Sequence, residues 1–332
     1  MRRPSWKTLA VIFLVAVGAR LFLMALPFAY TPDIYYYDAQ AVQALVSGAD
    51  PYGHNFTVPS GLQTPGAQNS FAYLPGVLLF LAPFGVAGDV RLGLIACDLL
   101  VGFALLYMGG KWATFAAGAF LLFPATVLFS TWYPNDTLVA MAFLGLALML
   151  EVKGKPYASA LFVGASLASS QFVWIFYPFF LLIYLKGRRL RQAALGLVTA
   201  AAMVAPFLVW SPAAFIHDTV FFEFGRPVQS LVTPEPFGLN VNPTISGISM
   251  TFFGAQVGFA VKAAILLMVL ALLLYRTKSF PSALLNGSIF LLAAIFILPN
   301  DFSPWYLELP FQLLLARLAL APTEGDARAA NP

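Results

Sequence analysis

A short stretch near the start of the chain combines carboxylates with aromatic side chains. It reads TPDIYYYDAQAVQALVSGADPYG, residues 31–53, and lies between two strongly apolar segments. A carboxylate such as that of Asp33 can act as a general base toward a hydroxyl group, or it can orient that hydroxyl for reaction. The adjacent tyrosine run suits stacking against the apolar face of a ligand. This segment is therefore the first candidate for chemistry.

A second carboxylate, Asp136, ends the tight turn STWYPND at residues 130–136. It stands directly before an apolar run that starts at Thr137, which is also the position of a helix N-cap. The sequence leaves both interpretations of Asp136 open, a capping residue and a ligand-binding residue.

The elements that must position these carboxylates are membrane helices. Of the 332 residues, 60% are hydrophobic and 10% are charged, whereas soluble domains carry about 25% charged residues. Apolar runs recur along the chain and approach the roughly 20 residues that an α-helix needs to cross about 30 Å of hydrocarbon. We therefore predict an all-α polytopic membrane protein. The net charge of +4 does not point to nucleic acid, because the basic residues cluster at helix ends, where membrane topology explains them.

Basic clusters mark the helix ends that we expect to face the cytoplasm. They include Lys153, Lys155, the run KGRRLR at 186–191, Arg276 and Lys278. About ten spans then alternate with both termini inside. These predicted spans are 8–27, 92–109, 112–129, 137–150, 157–169, 172–185, 192–210, 251–274, 281–299 and 305–320.

The domain organisation follows from this layout. Residues 1–320 form a single transmembrane domain with a first outer loop at 28–91 and a second at 211–250, and the polar segment 321–332 is a disordered cytoplasmic tail. Within the first outer loop, we predict a helix that starts at Asp38. The apolar segment 72–88 is too short and proline-rich to span, so we place it in the outer interface.

Two charged residues lie inside predicted spans at matched depth. Arg20 precedes Pro27 by seven residues, and Asp98 follows Arg91 by seven residues, so both lie about 10 Å from the outer ends of their helices. A lone ionised group at this depth is costly. We therefore predict an ion pair, while a neutral, hydrogen-bonded Asp98 remains the alternative.

The order of several short segments resembles the GT-C superfamily of membrane glycosyltransferases. The resemblance is to the catalytic subunit of the glycosylphosphatidylinositol mannosyltransferase and to its prokaryotic and archaeal relatives. It covers roughly residues 10–190, and beyond them only Pro304-Trp305-Tyr306 matches. The matching segments are Asp33 with Tyr35 to Tyr37, GADPY at 48–52, Tyr73-Leu74-Pro75, IACDLL at 95–100 and FPATVLFSTWYPND at 123–136.

This resemblance implies an inverting enzyme of the non-cytoplasmic face. It would move a hexose, with mannose suggested by analogy, from a polyprenyl-phosphate carrier to a lipid or glycan acceptor. Asp33 matches the catalytic position, and Arg226 is the first choice for the phosphate contact because a guanidinium suits phosphate. The full set of candidate substrate-binding residues is Asp38, Tyr36, Tyr52, His54, Asp136, Arg91, Arg226, Gln171 and Trp305. In a prokaryote, such a multi-pass protein would lie in the plasma membrane.

The sequence departs from the family pattern at two places. The first outer loop carries Asp33-Ile34-Tyr35 instead of an Asp-x-Asp pair, so a bound magnesium or manganese ion is not favoured. The relatives' lysine in the bend between the fifth and sixth spans is replaced by Ser169, Ser170 and Gln171.

Two other function classes remain open at this stage. A polyprenyl-lipid transporter or flippase would also carry intramembrane charges such as Arg20 and Asp98, although we find no internal repeat of the kind that transporters show. A noncatalytic subunit of a transferase complex would explain the missing lysine and the missing acidic pair.

Overall fold

The computed structural model describes residues 6–26, 33–59, 70–221, 232–235, 238–299 and 304–321. The first part of the chain forms helices α1 (Trp6–Ala25), α2 (Asp33–Val46), α3 (Pro75–Val86), α4 (Arg91–Met108), α5 (Ala113–Leu121), α6 (Pro124–Phe129), α7 (Thr137–Val152), α8 (Pro156–Leu167), α9 (Gln171–Lys186), α10 (Leu190–Trp210) and α11 (Pro212–Ile216). A π-helical turn (His217–Phe221) follows, then an antiparallel hairpin of β1 (Val232–Glu235) and β2 (Gly238–Val241). The chain ends with α12 (Ile245–Phe253), α13 (Phe259–Arg276), α14 (Phe280–Ile297), a 3₁₀ turn (Pro304–Leu307) and α15 (Glu308–Ala319).

This architecture confirms the predicted helical membrane fold, with one short hairpin added to it. Helices α1, α4, α10, α13 and α14 are long and apolar enough, by length and composition, to cross a membrane. Four shorter apolar helices, α3, α7, α8 and α9, pack among them. The protein is an integral membrane protein.

Two of the predicted spans are interrupted. The span 112–129 divides into α5 and α6 because Pro124 begins a new helix and Phe123 before it is extended, with ψ of 125°. Proline lacks an amide hydrogen and disfavours helical geometry in the preceding residue. The span 251–274 divides at Gly254, which ends α12 in the left-handed conformation with φ of 63°.

The first outer loop also differs in detail from the prediction. Helix α2 starts at Asp33 instead of Asp38, and Gly48, with φ of 78°, follows its end. Helix α3 has 12 residues, so it is about 18 Å long, well short of the roughly 30 Å of hydrocarbon. It packs against α2, α4, α7 and α10.

Close helix packing holds the bundle together. Helix α4 lies against α5 and α7, α7 lies against α8, and α8 lies against α10. At the last of these contacts, a Cβ added to Gly164 would lie 2.3 Å from the carbonyl oxygen of Gly196. Only glycine permits this approach, so the two backbones touch directly.

The bundle has a basic end and an opposite end. At the basic end, Arg189 forms an ion pair with Glu151, and Lys186 donates a hydrogen bond to the carbonyl of Thr277. The opposite end contains the starts of α3, α7, α9 and α13 and the segment that follows α10.

Candidate functional site

A cavity of about 750 Å³ opens at the end of the bundle opposite the basic residues. Its polar wall consists of Tyr73, Asp136, Thr137, Ser169, Ser170, Gln171, Thr219, Gln256, Lys262 and Tyr306. Its apolar wall consists of Ala72, Phe172, Trp174, Ile175, Val220, Val257, Phe259, Leu298 and Pro299. A concave site that is mostly apolar with a few converging polar groups is typical of a small-molecule or lipid site.

Lys262 is the sole lysine or arginine among the described residues that line this cavity. It lies in the first turn of α13, its side chain is almost fully buried, and its Nζ donates a 3.0 Å hydrogen bond to the carbonyl oxygen of Leu298. The sequence did not single out Lys262, because residues 251–274 fit one predicted span and this lysine would then lie deep inside a helix. The signal was the segment GAQVG at 254–258, whose glycines bracket the interruption.

Asp136 lines the cavity and does not cap α7 with its side chain. The capping bond comes from the preceding residue: Asn135 Oδ1 accepts a 3.1 Å hydrogen bond from the amide of Thr137. The other amide atom of Asn135, Nδ2, donates to Glu308 Oε2 at 2.8 Å. The capping interpretation of the Asp136 carboxylate is therefore wrong. Neither Asn135 nor Glu308 was among the residues that the sequence singled out.

The side chain of Gln171 forms hydrogen bonds with two separate segments of the cavity wall. It starts α9 behind the N-cap Ser170, whose hydroxyl accepts a hydrogen bond from the amide of Phe172. Its Nε2 donates to the carbonyl oxygens of Ala72, at 3.3 Å, and Thr219, at 3.0 Å. The side chain therefore lines the cavity and also fixes its shape.

Tyr52 supports the cavity wall from behind. Its hydroxyl donates a 2.8 Å hydrogen bond to the carbonyl of Tyr73, and its ring packs edge-on against Phe215 at 4.9 Å between centroids. Burial raises the pKa of Tyr52 well above its ordinary value, and the negative charges of Asp218 and Asp50 raise the pKa further. Tyr52 is thus a neutral donor that holds the segment carrying Tyr73.

The start of α2 lies beside the start of α4. Asp33 is the first residue of α2, and its Oδ1 accepts a 2.9 Å hydrogen bond from the amide of Ile34. The guanidinium of Arg91 lies 5.3 Å from the centre of the Tyr35 ring and pairs with Asp89 at 2.5 Å. The described cavity-lining residues include neither Asp33 nor Arg91.

Two further candidate residues, Tyr36 and His54, are not among the described cavity-lining residues. Tyr36 packs edge-on against Tyr35, with 5.5 Å between ring centroids. His54 is exposed and stacks on Phe56 at 5.8 Å. Arg226 lies outside the described residues, and for Trp305 the structure describes the backbone of the 3₁₀ turn alone.

Asp38 is fully buried in α2. Among the described residues, neither of its carboxylate oxygens has a hydrogen-bond partner. Burial raises the pKa of Asp38 well above the ordinary value of 3.8. A carboxyl group in this environment is stabilised in its protonated form, and it does not line the cavity.

The predicted pair of Arg20 and Asp98 is present. Arg20 Nε donates to Asp98 Oδ2 at 2.9 Å, and both side chains are completely buried. Arg20 also donates to the hydroxyl of Ser130 at 3.1 Å and to the carbonyl of Leu121 at 2.9 Å. The pair therefore joins α1, α4 and the segment that leads to the 130–136 turn.

Within the described ranges, no three histidine, cysteine or acidic residues cluster in a way that could hold a metal ion. Among the described lining residues, Asp136 is the one acid, and it shares the cavity with Lys262 instead of with a second acid. This donor set suits an anion-bearing ligand better than a divalent metal.

Comparison with known proteins identifies the fold. No protein-family model matches the chain, and no curated protein matches it. Among solved structures, the chain is similar to ArnT from Cupriavidus metallidurans in the apo state, with a TM-score of 0.60, 16% identity and coverage of 98% of this chain and 61% of ArnT. It is also similar to ArnT from Cupriavidus metallidurans bound to undecaprenyl phosphate, with a TM-score of 0.58, 14% identity and coverage of 98% and 62%.

The chain spans about three fifths of the length of ArnT. At this identity the similarity establishes the fold and nothing finer. The protein is a polytopic membrane protein that shares its helical fold with ArnT.

Proposed function

We propose that this protein is a membrane glycosyltransferase that takes a sugar from a polyprenyl-phosphate carrier. The observation that carries this proposal is the cavity, which combines one buried cation, one carboxylate and a long apolar wall. A polyprenyl-phosphate sugar has a part to match each of these: its phosphate suits the cation, the hydroxyl groups of its sugar suit the carboxylate, and its hydrocarbon chain suits the apolar wall. The shared fold with ArnT, which has been crystallised with undecaprenyl phosphate, supports the same choice of donor.

Lys262 is the proposed contact for the donor phosphate. An ammonium group in a site shielded from water stabilises the negative charge that develops on a leaving phosphate. Lys262 is almost fully buried at the cavity, so its charge is poorly screened by solvent. It takes the role that the sequence had suggested for Arg226.

The proposed reaction is a direct displacement with inversion. The oxygen of an acceptor hydroxyl forms a bond to the anomeric carbon, and the bond from that carbon to the phosphate oxygen breaks. Polyprenyl phosphate leaves with the electron pair, and the hydroxyl proton passes to a carboxylate. We assign this general-base role to Asp33 because it matches the catalytic position of the family that the sequence resembles; Asp33 is outside the described cavity lining, so this role requires the acceptor hydroxyl to lie between the cavity and the start of α2. We assign Asp136, which lines the cavity, to the orientation of the sugar or the acceptor through hydrogen bonds.

The finer features of the function are also part of the proposal. The transferred sugar is a hexose, and mannose is the first candidate by analogy. The acceptor is a lipid or a glycan. The cavity faces the non-cytoplasmic side because it opens at the end of the bundle opposite the basic turns, and in a prokaryote this side is the outer face of the plasma membrane.

A transfer assay tests this proposal. The purified protein in lipid nanodiscs is incubated with a panel of polyprenyl-phosphate hexoses and with membrane lipid extract as the acceptor. We expect transfer from at least one donor and a loss of about 10²-fold or more in Asp33→Asn. The matched control is Asp50→Asn in the same loop, because an amide oxygen can still accept the hydrogen bond that the amide of Tyr52 donates to Asp50.

The outcomes of this assay test both the catalytic role of Asp33 and the proposed function. Transfer that persists in Asp33→Asn would remove Asp33 from the mechanism and would leave Asp136 as the base to be tested. Binding of polyprenyl phosphate without transfer from any donor would contradict the proposal and would favour a transporter or a noncatalytic subunit.

A further inference from the structure

We propose that Glu308 is a positioning residue that acts through Asn135 to hold Asp136 in the cavity wall. This inference rests on the proposed function, in which Asp136 contacts substrate. Glu308 itself does not line the cavity and is 4% exposed, so it has no route to direct substrate contact. Its effect must pass through the residue that it binds.

The contact between Glu308 and Asn135 joins distant parts of the chain. The two residues are 173 positions apart, and Asn135 Nδ2 donates to Glu308 Oε2 at 2.8 Å. Glu308 begins α15, two residues after Tyr306, which lines the cavity. Asn135 precedes Asp136, which also lines it. The hydrogen bond therefore ties two separate segments of the cavity wall to each other.

The bond to Glu308 also decides which way the Asn135 amide faces. Glu308 Oε2 accepts from the amide nitrogen of Asn135, and an asparagine amide carries its donor nitrogen and its acceptor oxygen on one planar group, so this bond also fixes where the oxygen lies. The bond to Glu308 therefore holds the nitrogen of Asn135 toward the start of α15. The oxygen of Asn135 is left to accept the amide hydrogen of Thr137 at 3.1 Å, which caps α7.

The orientation of Asn135 has a consequence for Asp136. Aspartate is a strong N-cap residue, and Asp136 occupies the N-cap position of α7, but it makes no side-chain capping bond. Because Asn135 supplies that bond, the Asp136 carboxylate can face the cavity. Without Glu308, the Asn135 amide would lose its fixed orientation, and the Asp136 side chain would compete for the helix terminus.

The alternative is a purely structural bond between two helices. Such a bond would be served equally by any well-packed residue pair, and hydrophobic replacements of buried polar pairs are often neutral or stabilising. The positioning role requires more than a well-packed pair. It requires a hydrogen-bond acceptor at position 308 and a hydrogen-bond donor at position 135, or a donor at 308 and an acceptor at 135.

An exchange of donor and acceptor tests the inference. Asn135→Asp replaces the donor nitrogen with an oxygen and places two carboxyl groups against each other, whereas Asn135→Asp with Glu308→Gln restores a donor and acceptor pair and leaves an oxygen at position 135 for the amide of Thr137. We expect the single variant Asn135→Asp to lose about 10²-fold in kcat, as for a misplaced catalytic group. The KM for the donor should change much less. The double variant should recover most of the wild-type kcat.

A second readout does not depend on transfer. In a Cys97→Ala background, Asp136→Cys introduces a thiol whose rate of labelling by a charged reagent reports how the side chain at 136 faces the cavity, since Cys97 is buried and is the sole cysteine of the chain. Adding Asn135→Asp should change this rate, and further addition of Glu308→Gln should return it to that of the parent. Glu308→Gln alone should leave it unchanged, because its amide oxygen still accepts from Asn135.

The two readouts separate this inference from the proposed function. A wild-type protein without transfer activity would contradict the proposed function, while the labelling rates would still test the positioning role. Labelling and transfer that are not restored in a folded double variant, or that are unaffected in Asn135→Asp, would overturn the inference. Folding of each variant is checked by size-exclusion chromatography and by thermal unfolding in detergent.

Discussion

Arg20 and Asp98 are 78 positions apart and form a fully buried ion pair, with Arg20 Nε 2.9 Å from Asp98 Oδ2. The removal of one partner leaves the other charge buried and uncompensated, which typically costs about 3–5 kcal/mol. We therefore expect Arg20→Ala or Asp98→Asn to lower the thermal unfolding temperature strongly and to reduce the yield of folded protein.

The charge-reversed double variant, Arg20→Asp with Asp98→Arg, should recover part of this loss. Recovery should be incomplete because Arg20 also donates hydrogen bonds to the carbonyls of Ala16 and Leu121. An arginine at position 98 would not form these two bonds. A double variant that is no more stable than either single variant would contradict the pairing as the source of the effect.

Lys262 provides the second prediction. If its ammonium binds the donor phosphate, Lys262→Ala should weaken the binding of undecaprenyl phosphate by about 10-fold to 100-fold, the value of one hydrogen bond to a charged group. The matched control is Lys278→Ala, which removes the same charge just beyond the opposite end of α13, where the side chain is exposed. Titration of the detergent-solubilised protein measures both affinities, and equal weakening in the two variants would point to nonspecific attraction instead.

Gly76 provides a test of the cavity wall. A Cβ at this position would lie 2.2 Å from Ser169 Oγ and 2.7 Å from the carbonyl oxygen of Ala168, and the amide of Gly76 donates to that same carbonyl at 2.8 Å. We expect Gly76→Ala to destabilise the protein by about 1–3 kcal/mol through overpacking and to reduce donor binding, because Ser169 lines the cavity.

The matched control for Gly76 is Gly18→Ala in α1. A Cβ at Gly18 meets no atom within 4 Å, and alanine is favoured over glycine in a helix by about 1 kcal/mol. This control should be neutral or stabilising in thermal unfolding. A Gly76→Ala variant as stable as the Gly18→Ala control would show that the contact between α3 and the bend at 168–170 is looser than the structure indicates.

The burial of Asp38 leads us to expect that the free energy of unfolding of the protein depends on pH. Burial raises the pKa of Asp38 in the folded state well above 3.8, so as pH rises above about that value the unfolded state loses the proton first and is favoured. The contribution of Asp38 to stability therefore falls with rising pH until the pH passes the folded-state pKa. Asp38→Asn removes this dependence, and thermal unfolding at pH 5 and pH 8 should show a smaller difference than in the parent. An identical difference would contradict the burial of an ionisable group there.

The sequence predicted those features that depend on composition and on position along a helix. The depths of Arg20 and Asp98 followed from counting residues from the predicted helix ends, and the pairing followed from the cost of a lone charge in hydrocarbon. The presence of a helix in the first outer loop and its end before Gly48 likewise follow from local preferences, whereas its start lies at Asp33 instead of the predicted Asp38.

The sequence did not reveal features that depend on how separate segments meet. Lys262 was overlooked because an apolar run of 24 residues, 251–274, fits one membrane span, and its interruption at Gly254 depends on packing. The bond between Asn135 and Glu308 joins two turns that lie far apart along the chain, so neither residue gives a local signal of its partner. The complete burial of Asp38 is likewise a tertiary property, since an aspartate in a loop helix is ordinarily solvated.

The central claim is that the cavity holds the phosphate of a polyprenyl donor at Lys262. A cryo-electron microscopy structure of the protein in nanodiscs with undecaprenyl phosphate tests it most directly. The account predicts phosphate density within hydrogen-bond distance of Lys262 Nζ, about 3 Å, and hydrocarbon density along the wall of Phe172 and Val257. Phosphate density at the basic end of the bundle, or at the outer surface with the cavity empty, would contradict it.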